Sequence, residues 1–593
     1  EETPQGPSEA DLRELKKAHT LIREIWKAAP QILQNVVPQV DAELSADNVH
    51  LRQLAAETLG DMISGIGAAG PPPPPVLDPA AYPPLRLEDE DRAESAPANI
   101  LTTPMSSISF PQTHRSTFLN FLSRKNDKVA SIRAAWTAAA GYILATSAGG
   151  IGLARDDENT LIEGLGEKLS DSDEKVRLAA VKAIECFRFR DVILKLGPKG
   201  GVNKEGSVLS TLADRCRDRK PAVRVAAMSL LAKLWAVGTG ELLAGHEAVT
   251  AALGGVPSRI YNAFYANDPE LNVLLDRVIY ECLVPLSYPP QPKKEKGASK
   301  SATGSNGNSQ SQVGSASALD ENAVRAERIL LLVRSLDTTA KKAFFAMQAR
   351  QPQFAHVLET FIKQCDLYNG GVMDSNADKI LANLQKTIKY IAQFLPDETK
   401  TTQELYRFAK ANDRRNYNLI RYVIGPEHDF KTVHKALKEL MKRIQSSKDP
   451  SVRDTLLPLL YRSGCLMFNR SHLATIMEYS RSDKDGLGAA AHEILNEISQ
   501  RNPDLFKTHI GQLCKDLVDQ APTATKPNDP VVVETLKACS AYARKYPKDV
   551  PSERDFTRTM INYALYGQPP KAAKYAVNIL RCKKDERSEI SAT

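Results

Sequence analysis

The stretch that decides the fold is "DRKPAVRVAAMSLLA", residues 218–232, because "DEKVRLAAVKAIECF" at 173–187 repeats its pattern. Val176-Arg177 and Val223-Arg224 stand 47 residues apart (224 − 177), and Arg133, in "SIRAAWTAAAGYIL", stands 44 before Arg177 (177 − 133). Fainter copies surround Arg52 in "DNVHLRQLAAETL" and Arg453 in "DPSVRDTLLPLL". Each copy carries a turn residue, then an arginine, then Ala and Leu at helical spacing. In 173–187 the apolar stripe is Val176, Ala179, Ala180, Ala183, Ile184 and Phe187, with Asp173 placed as N-cap. In 218–232 Pro221 stands in the first turn, where its missing N–H costs nothing.

A period in the forties predicts stacked two-helix repeats of the HEAT or armadillo kind, in which neither helix buries its stripe alone and neighbouring repeats supply the core. "NTLIEGLGEKL" (159–169) makes a first helix and 173–187 its partner, with small alanines letting the helices approach closely. With no credible strand pair in the sequence, the expectation is an all-α, hook- or rod-shaped solenoid. Two polar segments interrupt it. Residues 66–115 hold "PPPPP", the acidic Glu88–Asp91 and Ser-Thr-Pro clusters, and 289–323 are low-complexity; both read as flexible insertions. The expected organisation is early repeats over 1–65, central repeats over 116–288, later repeats over 324–582 and a tail at 583–593. The five arginines Arg52, Arg133, Arg177, Arg224 and Arg453 are read as structural, each pairing with the turn acid of its own or the adjacent repeat.

The chain has 593 residues, 25% of them charged, and a formal charge of +7, which suits an acidic partner without demanding one. Eight cysteines lie far apart with no CxxC pair, a usage that fits a reducing compartment. No run approaches 18 apolar residues, and no membrane partner is expected. "GIGAAG" (65–70) matches a dinucleotide fingerprint in letters, but it follows a helical pattern and runs into polyproline, so it reads as a helix terminator. "GPKGGVNKEGS" (197–207) lacks the Gly-Lys-hydroxyl ending of a phosphate loop and reads as a connection between repeats. The ten histidines fall in no metal-ligand spacing and no serine stands in a nucleophile elbow. Neither metal, cofactor nor catalysis is expected.

The most informative local pattern is "FKTVHKALKELMKRI" (430–444). At 100° per residue Val433, Leu437, Leu440 and Ile444 share one side, Lys431, Lys435, Lys438 and Lys442 fall in a narrow stripe on another, and His434 and Met441 lie on the borders. Such a stripe forms a solvated face in many helices. It also suits the wall of a groove for an extended peptide with acidic and apolar residues, since methionine repacks around varied side chains.

Several strings resemble one family. "LSTLADRCRDRKPAVRVAAMSLLAKLW" (209–235), "LLDRVIYECLVP" (274–285) and "PPKAAKYAVNIL" (569–580) are similar to the HEAT-repeat cohesin regulators called precocious dissociation of sisters protein five. "EIWKAAPQILQNVVPQVDAEL" (24–44) is similar to an early repeat of that family and "LIRYVIGPEHDFKTVHKALKEL" (419–440) to a middle one, so the resemblance runs from about residue 10 to 582 in matching order. It implies a non-enzymatic nuclear, chromatin-associated protein that binds the kleisin subunit of cohesin, meets other cohesin subunits and regulators, and acts in maintenance and release of sister chromatid cohesion. The kleisin would dock along the middle and later repeats. Placed there, Tyr422, Met467, Phe468 and His472 join the lysine helix as expected groove walls. The insertions suggest a fungal member. The family's Ala-Pro-acid-Ala-Pro element for the release factor is not "KAAPQIL" (27–33), so an N-terminally trimmed fragment lacking that module is expected. A transport-type or general HEAT scaffold, and a solenoid with weak direct DNA contact through its basic ridges, are the alternatives.

Overall fold

The computed structural model describes residues 9–65, 77–88, 109–147, 152–290, 320–373 and 376–592, with side chains as far as 584. Every regular element among them is helical, as the forty-residue period requires. The chain forms two compact units, Glu1–Ala266 with Ser335–Ala340, and Asn267–Arg334 with Lys341–Thr593. The division thus falls at 266/267, away from the polar insertions that the sequence offers as boundaries.

In the first unit the helices Val49–Ser64, Ala130–Ala145 and Glu174–Glu185 pack in succession. Their closeness has a residue-level cause. A Cβ on Gly60 would stand 2.4 Å from the Ala139 Cβ, and one on Gly141 would stand 2.3 Å from the Ala183 Cβ. Ala139 and Ala183 are 44 residues apart (183 − 139), so the same glycine-on-alanine crossing occurs at both of these successive contacts. The helix starts follow the sequence. Asp173 caps Glu174–Glu185 by accepting from the Lys175 N–H at 2.7 Å, and Pro221 opens Pro221–Val237.

Along the turns runs a ladder of buried ion pairs. Arg52 Nε lies 3.4 Å from Asp127, Arg133 donates twice to Asp171 at 2.8 Å, and Arg177 donates to Asp218 at 2.8 and 2.9 Å. Each arginine reaches forward to the turn acid of the next repeat. Its Nη1 also reaches back to two carbonyls of its own turn: Ala46 and Asp47 for Arg52, Asp127 and Lys128 for Arg133, Asp171 and Ser172 for Arg177. Arg224 makes the same backward bonds to Asp218 and Arg219. One guanidinium therefore closes its own turn and staples the following repeat. Burial raises the Asp171 and Asp218 carboxyl pKa values, and the arginine bonds outweigh it, leaving both below the usual carboxylate range. Arg453 does not belong to this set: it is exposed and its side chain donates no hydrogen bond among the described residues.

Three expected boundaries move. Residues 77–88, inside the expected flexible insertion 66–115, lie against the first unit. Helical structure resumes at Phe110–Thr113 rather than at 116, because Ser109 and Gln112 form a capping box and Phe110 packs edge-on to Trp26 at 5.9 Å. The rest of that insertion, and 291–319 of the second, lie outside the described residues. Glu321–Arg334 starts three residues before the expected 324, capped by Asp320, and the final helix Pro570–Ala592 runs through the expected tail. Gly65 ends the Val49–Ser64 helix, as the terminator reading requires, while 66–70 lie outside the described residues. Residues 197–207 form a short connection that ends on Ser207, the N-cap of Val208–Asp214.

Candidate peptide-docking ridge

The candidate ridge is the helix Phe430–Gln445 of the second unit. Asp429 caps it, accepting from the Thr432 N–H at 2.7 Å. Val433, Ala436, Leu437, Leu440 and Ile444 are buried, and Lys431, Lys435, Lys438 and Lys442 are all exposed. The lysines span about 16 Å of helix at 1.5 Å per residue. An extended peptide covers that length with about five residues.

What leaves the row positive is the fate of the neighbouring acids. Glu439 is held by Arg415 at 2.9 and 3.0 Å, and Asp413 by Arg443 at 2.8 Å, Arg443 also donating to Asn416 at 2.9 Å. Arginine's planar fork takes the carboxylates by paired or networked bonds that a lysine does not match. Among the described residues, the ammonium groups of the four lysines have no hydrogen bond or ion pair.

Beneath the ridge lies an unusual interior. Phe430 anchors the helix, and the guanidinium of Arg325 sits 4.0 Å above its ring. Arg325 is 1% exposed and pairs with no carboxylate among the described residues; it donates instead to the carbonyls of Pro285, Tyr288 and Val284 at 2.6, 3.2 and 3.3 Å. Burial pushes its pKa down to about 9. His472 is fully buried, 5.3 Å from Phe430, and makes no well-formed hydrogen bond through either ring nitrogen. Its pKa falls to about 3, first through burial and then through the charge of Arg325, the Met467 backbone opposing weakly. His434, half-buried at the ridge border, falls to about 4 through burial, Arg325 and Lys438. Both histidines are neutral at pH 7, so the ridge's charge comes from its lysines.

The expected wall residues divide. The lysines, His434 and Met441 share the one helix, and Tyr422 is 40% exposed on the preceding Arg414–Ile424 helix, its ring 4.8 Å from His428. Met467 (1% exposed) and His472 are core residues and line no surface. Phe468 is half-buried and packs against Phe344 at 5.9 Å, lining a small cleft with Gln348, Gln351 and Ile498. The tertiary fold draws "MFNRSH" inward because the chain there turns between Val452–Ser463 and Leu473–Ser482, under Phe430. Sequence reasoning missed Arg325. It precedes Ile329 and Leu332 by four and seven residues, on their apolar face, and a charge on such a face is the available signal. Among the described residues, no group of three or more His, Cys, Asp or Glu side chains could hold a metal ion, and no helix is long and apolar enough to cross a membrane.

Comparison with known proteins bears on this arrangement. Residues 2–592 match the family model described as sister chromatid cohesion protein PDS5. Curated relatives include the sister chromatid cohesion protein pds5 of Schizosaccharomyces pombe, 25% identical over 461 residues, covering 78% of this chain and 31% of the relative. The PDS5 protein of Saccharomyces cerevisiae is 24% identical over 589 residues, covering 95% of this chain and 39% of the relative. The chain therefore spans 31% to 39% of the length of these relatives. A solved chain from a Pds5–Scc1 complex superposes with a TM-score of 0.62 at 21% identity, over 86% of this chain and 64% of that one, a likeness of fold. With the family model matched from end to end and the solenoid architecture shared, the chain belongs to the PDS5 family of sister chromatid cohesion proteins.

Proposed function

We propose that this chain is a cohesin regulator that holds the kleisin subunit along its second unit, and that the ridge Lys431–Lys435–Lys438–Lys442 is part of the contact. The single observation that carries this is the row of four exposed lysines left without counter-charges while the neighbouring acids are taken by arginines. Family membership and the solved likeness from a complex with Scc1 support it. A kleisin segment with carboxylates spaced along about five extended residues would meet the lysines, and an apolar residue would lie beside Met441 and Tyr422. Lysines set rate and register; the apolar anchor supplies most of the affinity. Maintenance and release of cohesion, in a nuclear, chromatin-bound setting, would both act through this grip, without catalysis. Other cohesin subunits and regulators would meet the chain at other surfaces.

Titration calorimetry with a kleisin peptide tests the reading. Lys438→Glu combined with Met441→Asp is expected to weaken binding at least tenfold with the thermal midpoint held, because both side chains lie outside the core. Unchanged affinity in the folded variant refutes the ridge. The same lysines favour one second reading, direct DNA contact. If all four neutralised phosphates, log K would fall against log salt with a slope of about −3.6.

A further inference from the structure

Residues 77–88, within the proline-rich insertion, lie at a specific place on the first unit. Glu241, in the short helix Thr239–Leu243, is 3% exposed, and its carboxylate faces two donors from this segment. The Leu87 N–H donates to Oε1 at 2.9 Å, and Arg86 Nε lies 3.2 Å from the same oxygen. Arg86 Nη1 donates to the Gly240 carbonyl at 3.1 Å. Gly240 eases this approach, since a Cβ there would stand 3.0 Å from the Pro84 Cβ, tighter than ordinary contact. Together these contacts read a proline, a space, an arginine and the next backbone amide, which is the pattern by which a surface recognises an extended peptide.

The segment nevertheless lies on the surface and is not part of a core. Pro83, Arg86 and Glu88 are exposed, and Leu85 and Leu87 are only half-buried. The Arg86 side chain keeps 47% of its surface in solvent while its partner Glu241 keeps 4%. A short contact anchored by a charge-assisted pair that is half in solvent is weak between separate molecules. Held on one chain, it benefits from an effective concentration in the millimolar range.

We propose that the face around Gly240 and Glu241 is a docking site for an extended proline–arginine peptide, and that the chain's own Pro84–Leu87 occupies it as a displaceable strap. A partner would gain access by presenting the same chemistry, a proline two residues before an arginine that is followed by an apolar residue, at a concentration that overcomes the tether. The proposal is independent of the lysine ridge, which lies in the other unit.

The test uses the full chain with residues 77–88 replaced by a Gly/Ser stretch of equal length, and a fluorescein-labelled peptide of residues 77–88 read by anisotropy. The replaced chain is expected to bind the peptide saturably, and the unaltered chain at least tenfold more weakly because its site is filled. The Arg86→Ala peptide, and the replaced chain carrying Glu241→Gln, are each expected to lose at least tenfold. In the unaltered sequence, Glu241→Gln alone is expected to speed tryptic cleavage after Arg86 at least tenfold while the thermal midpoint holds. A folded replaced chain that ignores the peptide, equal binding of the Arg86→Ala peptide, or no change in cleavage overturns the proposal. So does loss of the cooperative melt on replacement, which would make the strap a structural element.

Discussion

At the residue scale, the ladder arginines and the buried histidines act through opposite electrostatics. Arg177 and Asp218 are each buried and satisfied, so removing one strands the other: Arg177→Ala is expected to lower stability by about 3 kcal/mol in a urea melt. Arg453→Ala, at an exposed position with no such partner, is expected to change it by no more than about 0.5 kcal/mol. The histidine effect has a definite sign. The folded-state pKa of His472, near 3, lies below the unfolded value of 6.5, so protons bind the unfolded chain more readily. Its contribution is fully present above pH 6.5 and is lost as pH falls toward 3, at up to about 1.4 kcal/mol per pH unit. His472→Met is expected to be neutral or stabilising at pH 7, since it removes two unsatisfied ring nitrogens, and to flatten the stability profile between pH 6 and 4. Urea melts at pH 7, 6, 5 and 4 check both; a profile as steep as the parent's would show that His472 does not drive the loss.

At the scale of elements, the glycine-on-alanine crossings set how closely successive helices lie. Gly141→Ala offers a choice between two effects. Helix propensity gains about 1 kcal/mol, while the new methyl would stand 2.3 Å from the Ala183 Cβ. Overpacking costs typically 1–3 kcal/mol, so the clash is expected to win and lower the thermal midpoint. Adding Ala183→Gly is expected to restore part of the loss, because the crossing then has one methyl again, on the opposite helix. The Phe430–Gln445 helix follows another rule. Its placement rests on the buried stripe and on Phe430 beneath the Arg325 guanidinium, so its four lysines are free to change without unfolding it. Its existence and two faces were legible from the 3.6-residue period. The identity of the groove walls was not, because "MFNRSH" carries no period that separates an inward Met467 or His472 from an outward one.

At the scale of the whole molecule, the lysine row predicts a binding property. Kleisin-peptide affinity is expected to fall as sodium chloride rises from 50 to 200 mM, since exposed charges are screened over about 10 Å at 0.1 M. Calorimetry at the two concentrations checks it, and a salt-independent constant would assign the affinity to apolar contact alone. The sequence by itself determined the all-helical repeat, the period near 44, the caps, the turn arginines and the family, because these depend on local periodicity and on charge at fixed offsets. Only the tertiary structure decided which acid each arginine reaches, that residues 77–88 come to rest on Glu241, and that His472 lies in the core beside a buried arginine. These are contacts between residues 38 to 154 positions apart. Local spacing carries no term for them; they exist because stacked helices must share one interior.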